Sequence, residues 1–135
     1  MICLDTSAII VALNNRASSV RTRIAAAVVA GAAVTLSPIV LFELRYGAAK
    51  SANRERTSRR IDDFLAGPVV VLPFEPEDAA EAGDIRAVLE RAGAPIGPYD
   101  VLIAAQARRR GALLITANER EFGRVPGLRI EDWAG

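Results

Sequence analysis

The strongest constraint on the fold is an alternation. Short apolar runs recur at residues 1–4, 34–36, 69–72, 112–115 and 128–130, and segments with helical start signals separate them. Asp5-Thr6-Ser7 opens a helix over 8–13, and an Ala-rich helix covers 18–33. Ser37-Pro38 puts an N-cap and an N1 proline ahead of a helix over 39–49. A charged amphipathic helix spans 53–65 and is closed by Gly67-Pro68. Pro76 opens a long helix to residue 92, with Ala82, Ile85, Leu89 and Ala92 on one stripe. After a loop over 93–97, Pro98 starts a helix that runs to 110. Strands this short, joined through helices, predict an α/β fold with a central, mostly parallel sheet flanked by helices. The β-branched run at 69–72 reads as a buried strand, and 135 residues suffice for one core, so 1–135 is expected to be a single domain.

Composition narrows the chemistry. The chain has no histidine, which excludes His-dependent triads, His-based acid–base work and His metal sites. Its one cysteine, Cys3, excludes disulfides within the chain and Cys-rich metal sites. Catalysis would then rest on carboxylates holding a hard, oxygen-seeking cation. Seventeen Lys+Arg against sixteen Asp+Glu leave a net charge of +1, so no global field draws in nucleic acid. All the basic residues except Lys50 are arginine, whose planar fork suits phosphate. The start, Met1-Ile2-Cys3-Leu4-Asp5, lacks the basic and apolar regions of a signal peptide, and the unpaired cysteine agrees with a cytoplasmic protein. Residues 24–42 carry no charge and are long enough to span a bilayer. Gly31, Thr35, Ser37 and Pro38 divide that stretch into a helix end, a strand and a helix start, so no membrane span is expected.

Most acids lie in polar stretches, but Asp5, Glu43 and Asp100 each sit among apolar neighbours, where desolvation of a carboxylate is costly. Taken singly, Asp5 and Asp100 are explained by helix N-termini, where free N–H groups and the dipole favour an acid, and Glu43 by the same effect or by pairing with Arg45 or Lys50. Taken together, they fall at one edge of the expected sheet: Asp5 ends the first strand, Glu43 follows the second, and Asp100 starts a helix. Thr116, Asn118 and Glu121 add oxygens after the strand at 112–115. Acids converging there would repel one another without a divalent cation among them. On this reading, Asp5→Asn or Asp100→Asn relieves that repulsion in the metal-free protein.

These segments also carry a resemblance. Leu4-Asp5-Thr6, Phe42-Glu43-Leu44-Arg45-Tyr46-Gly47-Ala48, Gly97-Pro98-Tyr99-Asp100-Val101-Leu102-Ile103-Ala104-Ala105, Leu114-Ile115-Thr116-Ala117-Asn118-Glu119-Arg120-Glu121-Phe122 and the ending Arg124-Val125-Pro126-Gly127-Leu128-Arg129-Ile130-Glu131-Asp132-Trp133 resemble PIN-domain ribonucleases of the VapC toxin type. The resemblance covers essentially the whole chain in order. It implies a PIN fold and an endoribonuclease dependent on Mg²⁺ or Mn²⁺, with Asp5, Glu43 and Asp100 as the core catalytic and metal-binding set. Glu121 stands where many members have Asp, and Asn118 matches a polar position near the metal, so either is the candidate fourth group. Thr6 and Thr116 are candidate supports for metal or phosphate.

The resemblance further implies a VapB-like antitoxin, toxin homodimers, toxin–antitoxin hetero-oligomers and an RNA substrate, with initiator tRNA cut in its anticodon loop as the nearest likeness. Arg120 and Arg124 flank the expected site and are candidate RNA contacts, as are Arg108 and Arg109. Trp133, Tyr46 and Tyr99 have rings that can stack on bases, but core packing is the expectation for each. A haloacid-dehalogenase-type phosphatase needs a second Asp at the position of Ser7, and a receiver domain needs a late lysine that is absent. The competing class is a catalytically silent PIN-like module that binds RNA or protein.

Overall fold

A computed structural model describes residues 1–134. The elements run β1 (Ile2–Leu4), α1 (Thr6–Asn14), α2 (Ser19–Val29), β2 (Val34–Leu36), α3 (Pro38–Lys50), α4 (Arg54–Leu65), β3 (Val70–Val71), α5 (Pro76–Arg91), α6 (Pro98–Arg109), β4 (Leu113–Ile115), α7 (Glu119–Phe122) and β5 (Arg129–Glu131). The strands form one sheet in the order β3-β2-β1-β4-β5, and every pairing is parallel. The α/β architecture is therefore the one the alternation predicts.

The sheet order places the site. The chain steps outward from β1 through β2 to β3, then returns across the sheet to β4 on the other side of β1. The order reverses between β1 and β4, and at such a switch point the connections diverge and leave a crevice beyond the strand carboxyl ends. Here β1 pairs with β4 through Leu4↔Ile115, and the Asp5 N–H donates to the Ile115 carbonyl at 3.0 Å. Asp5 and Thr116 are thus the first residues past the two central strands.

Local chemistry sets the helix starts. Asp5, Ser18 and Ser37 cap α1, α2 and α3, and prolines occupy the first turn of α3, α5 and α6. The core lies on both faces of the sheet, with Leu4, Ile9, Leu36, Val40, Ile61, Ile85 and Leu114 all but sealed from solvent.

Three expectations change, and one element is new. Residues 69–72 do not form a buried strand: β3 is a two-residue edge strand whose valines are exposed, because only β2 flanks it. The second helix ends at Val29 rather than at 33, since Gly31 takes a positive φ of 88° that breaks it. Ala92 is the exposed C-cap of α5 and leaves the buried stripe to Ala82, Ile85 and Leu89. The short α7 has no counterpart in the sequence reading. Phe122 anchors it in the core, and Gly123 closes it where a Cβ would stand 2.6 Å from the Glu119 carbonyl oxygen. The uncharged stretch over 24–42 is split among α2, β2 and α3, and among the described residues no helix is long and apolar enough to cross a membrane.

Candidate active site

Asp5 is held from three sides. Its Oδ1 accepts the Ala8 N–H at 3.0 Å and the Ser7 hydroxyl at 2.7 Å, while Oδ2 accepts the Thr116 hydroxyl at 2.5 Å. Thr116 in turn accepts the Asn118 N–H at 2.9 Å, and Ser7 accepts the Ala117 N–H at 3.0 Å. The turn after β4 is therefore stitched to the start of α1. Asp5 is buried, and burial raises its carboxyl above the ordinary range against the pull of these donors. The helix-cap role and the candidate ligand role fall on the same side chain.

Glu43 projects from α3 toward α1, where the Thr6 hydroxyl donates to its Oε1 at 2.7 Å. Thr6 is the first residue of α1, so β1 and its following turn position Glu43 as well as Asp5. Asp100 lies in the first turn of α6 behind Gly97-Pro98, and its Oδ2 would stand 3.3 Å from a Cβ placed on Gly97. Glu121, on α7, accepts the Asn118 side-chain amide at 3.1 Å.

These acids interact. The Asp100 carboxyl is pushed up to about 7, first by burial, then by a hydrogen bond and charge repulsion from Glu121, and further by the charges of Glu43 and Asp5. None of the ion pairs among the described residues uses Asp5, Glu43, Asp100 or Glu121. Four hard oxygen donors left without a protein cation suit a divalent ion. Among the described residues, no three acidic or thiol groups stand close enough to ligate one ion as the side chains lie. As they lie, Glu43 is engaged by Thr6 and Glu121 by Asn118. Glu43 and Glu121, with longer side chains, have the freedom to close that distance.

The remaining candidates separate. Arg120 is exposed on α7, and Arg124 donates to the Pro95 carbonyl at 2.9 Å, which ties it to the loop before Asp100. Arg108 and Arg109 stand apart from the acids. They lie at the far end of α6 from Asp100, where Arg108 pairs with Glu81 at 3.1 Å and Arg109 with Asp78 at 2.7 Å. Those ion pairs clamp α6 to α5 and engage both guanidinium groups there. Trp133 is buried as expected, but Tyr46 and Tyr99 are not core residues. Both stand exposed with Phe42, and the three rings line an open cleft of about 480 Å³ with Thr6 and Glu43. Phe42 was not singled out in the sequence. The available signal was its place directly before Glu43 and four residues before Tyr46, which puts the rings on one helix face.

Comparison with known proteins agrees with this arrangement. The family model for the PIN domain matches residues 2–128. The tRNA(fMet)-specific endonuclease VapC of Salmonella typhimurium is 41% identical over 130 residues, covering 96% of each chain. Among solved structures, the DNA-bound VapBC of Salmonella typhimurium matches with a TM-score of 0.89 at 40% identity, over 98% of this chain and 97% of that one. VapBC2 from Rickettsia felis, bound to a DNA fragment from its promoter, matches with a TM-score of 0.91 at 34% identity, over 98% and 99%. PIN-domain nucleases are generally divalent-metal dependent, in keeping with acids that none of the ion pairs among the described residues uses. By fold, by sequence and by the chemistry left open at the switch point, the chain belongs to the PIN-domain family and, within it, to the VapC endoribonucleases.

Proposed function

We propose that this chain is the toxin of a toxin–antitoxin module and hydrolyses RNA phosphodiester bonds with Mg²⁺, or Mn²⁺ in its place. Asp5, Glu43 and Asp100 hold the ion, and Glu121 serves as the fourth acid with Asn118 orienting it. The observation that carries the reading is the group of uncompensated acids at the switch point, where Asp100 is pushed to about 7 by Glu121, Glu43 and Asp5. The bound ion supplies Lewis acidity, activating water and neutralising charge on phosphate. The protein's own part is positional. Thr116, Ser7 and the Ala8 N–H fix Asp5, and Thr6 fixes Glu43. The raised Asp100 carboxyl, with Glu121, Glu43 and Asp5 as its charged neighbours, is the acid whose ionised form a bound cation would favour most. Attack by water leaves a 5′-phosphate and a 3′-hydroxyl.

The substrate class proposed is tRNA, with the initiator tRNA anticodon loop first, supported by the name of the 41% identical Salmonella relative. Arg120 and Arg124 are the phosphate contacts, and the site of action is the cytoplasm, where that RNA is found. A VapB-like antitoxin covers the acids, supported by the VapBC complexes among the structural relatives. The surface that fits it is the apolar groove of Ile10, Leu13, Leu44, Ala48 and Ile61, which has Glu43 on its wall and so offers an antitoxin arginine a partner. The functional assembly is a toxin homodimer within a toxin–antitoxin hetero-oligomer. A silent binding module is the weaker reading, because a binder gains nothing from clustered, unpaired acids. Purification of the chain with its neighbouring gene product, followed by release of the toxin and incubation with tRNA, tests the proposal. Recovery of the chain alone, without a partner and without nuclease activity, contradicts it.

A further inference from the structure

We infer that Phe42, Tyr46 and Tyr99 form a base-stacking platform that positions single-stranded RNA against the carboxylates, an inference that rests on the ribonuclease reading. The chain has only seven aromatic residues, and Phe64, Phe122 and Trp133 are buried in its core. The three rings of the patch are instead 50%, 57% and 47% exposed. They are also gathered. Phe42 stands edge-on to Tyr99 at 5.5 Å between centroids, and its ring lies 20° from that of Tyr46 at 6.5 Å. Two different helices contribute, α3 and α6, so the cluster is a product of the tertiary fold rather than of one helix face.

Its place identifies the occupant. Phe42 and Tyr99 directly precede Glu43 and Asp100 in the chain, and Thr6 and Glu43 share the cleft with the rings. A nucleotide stacked there would have its phosphate beside the acids. An acidic site repels a polyanion, and the net charge of +1 offers little general attraction, so a contact that does not depend on charge is needed beside the few local arginines. Aromatic stacking is such a contact, and it tolerates any base. Lys50, whose Nζ lies 5.0 Å from the Tyr46 ring centre, puts a positive charge at the outer rim for the next phosphate. Two tyrosine hydroxyls at the patch also suit a wet, polar ligand better than a sealed protein interface.

The test uses the full chain carrying Asp100→Asn to silence cleavage, and short single-stranded RNAs with 2-aminopurine at successive positions. Stacking predicts that fluorescence is quenched at one position on binding. Tyr46→Leu with Tyr99→Leu should abolish that quenching and weaken binding about tenfold per ring, whereas Tyr46→Phe with Tyr99→Phe should preserve both. In the active chain the leucine pair should raise KM far more than it lowers kcat. Unchanged quenching and affinity in the leucine pair, with wild type still cleaving RNA, would overturn the platform and leave the ribonuclease reading intact. So would conversion of a dimer to a monomer by the leucine pair at unchanged RNA affinity, since the patch would then join two copies of the chain. A wild-type chain that neither binds nor cleaves RNA would overturn both.

Discussion

The Thr116 hydroxyl donates to Asp5 Oδ2 at 2.5 Å and so joins the ends of the two central strands, β1 and β4, at the point where the sheet order reverses. Thr116 also accepts the Asn118 N–H, so one buried hydroxyl links the Asp5 carboxylate to the turn leading to Glu121. Thr116→Val keeps the shape and removes both bonds. The expected cost is about 1–3 kcal/mol, since a buried acceptor and a backbone donor are left without partners. Cleavage should fall as well, because Asp5 and α7 lose their common anchor. Urea melts with chelator, paired with cleavage assays with metal, check both effects.

Asp5→Asn and Asp100→Asn should behave differently, although the sequence reading treats them alike. Asp5 is a buried cap that satisfies Ser7, Ala8 and Thr116. Asparagine can still cap α1 but cannot accept from Thr116 with the same atom that donates, so metal-free stability should fall by about 1 kcal/mol. Among the described residues no backbone N–H or hydroxyl is seen to donate to Asp100, which is strained by burial and by repulsion from Glu121, Glu43 and Asp5. Its replacement should stabilise the metal-free chain by about 1–2 kcal/mol at pH 8, a figure reduced for solvent screening of a half-exposed carboxyl. Both variants should lose cleavage. Thermal melts in chelator separate them.

The same carboxyl gives a pH dependence with a definite sign. Its folded pKa of about 7 exceeds the ordinary 3.8, so between those values the native state holds a proton that the unfolded chain has released. Metal-free stability should therefore decline as pH rises from about 4 to 7 and level off above. Asp100→Asn should flatten that slope. Denaturant melts at pH 5 and pH 8 measure it, and a wild-type chain more stable at pH 8 would contradict the assignment.

Asp78 predicts the opposite trend at low pH. Burial alone would raise its carboxyl, but hydrogen bonds from Arg110, Arg109 and the Glu75 N–H outweigh that and hold it at about 2. Its contribution is full above the ordinary 3.8 and is lost as pH falls toward 2. Asp78→Ala should cost about 3 kcal/mol by stranding the arginine clamp between α5 and α6, with little effect on cleavage per folded molecule. Calorimetry and activity measured on the same sample check the pair of outcomes.

The sheet and the acids were legible for different reasons. Ile2-Cys3-Leu4 and Val34-Thr35-Leu36 are buried on both faces, so they read as continuous apolar runs, and Ser37-Pro38 marks the start of α3 by local chemistry alone. Asp5, Glu43 and Asp100 stood out because acids rarely interrupt such runs. Val70 and Val71 misled because residue type does not reveal whether a neighbouring strand is present, and the edge of the sheet is a tertiary fact. The Arg108-Arg109-Arg110 run misled similarly, since its partners Glu75, Asp78 and Glu81 lie on another helix. The exposed rings escaped because Phe42 and Tyr99 meet only once α3 and α6 are packed.

The central claim is that a divalent ion held by Asp5, Glu43 and Asp100 cleaves RNA. It is tested most directly by incubating the purified, antitoxin-free chain with initiator tRNA in Mg²⁺ and, separately, after exhaustive chelation, then sequencing the RNA ends. The account predicts cuts in the anticodon loop that leave 5′-phosphates, appear only with metal and vanish in Asp100→Asn. Full cleavage after metal removal, or undiminished cleavage by Asp100→Asn, would contradict it.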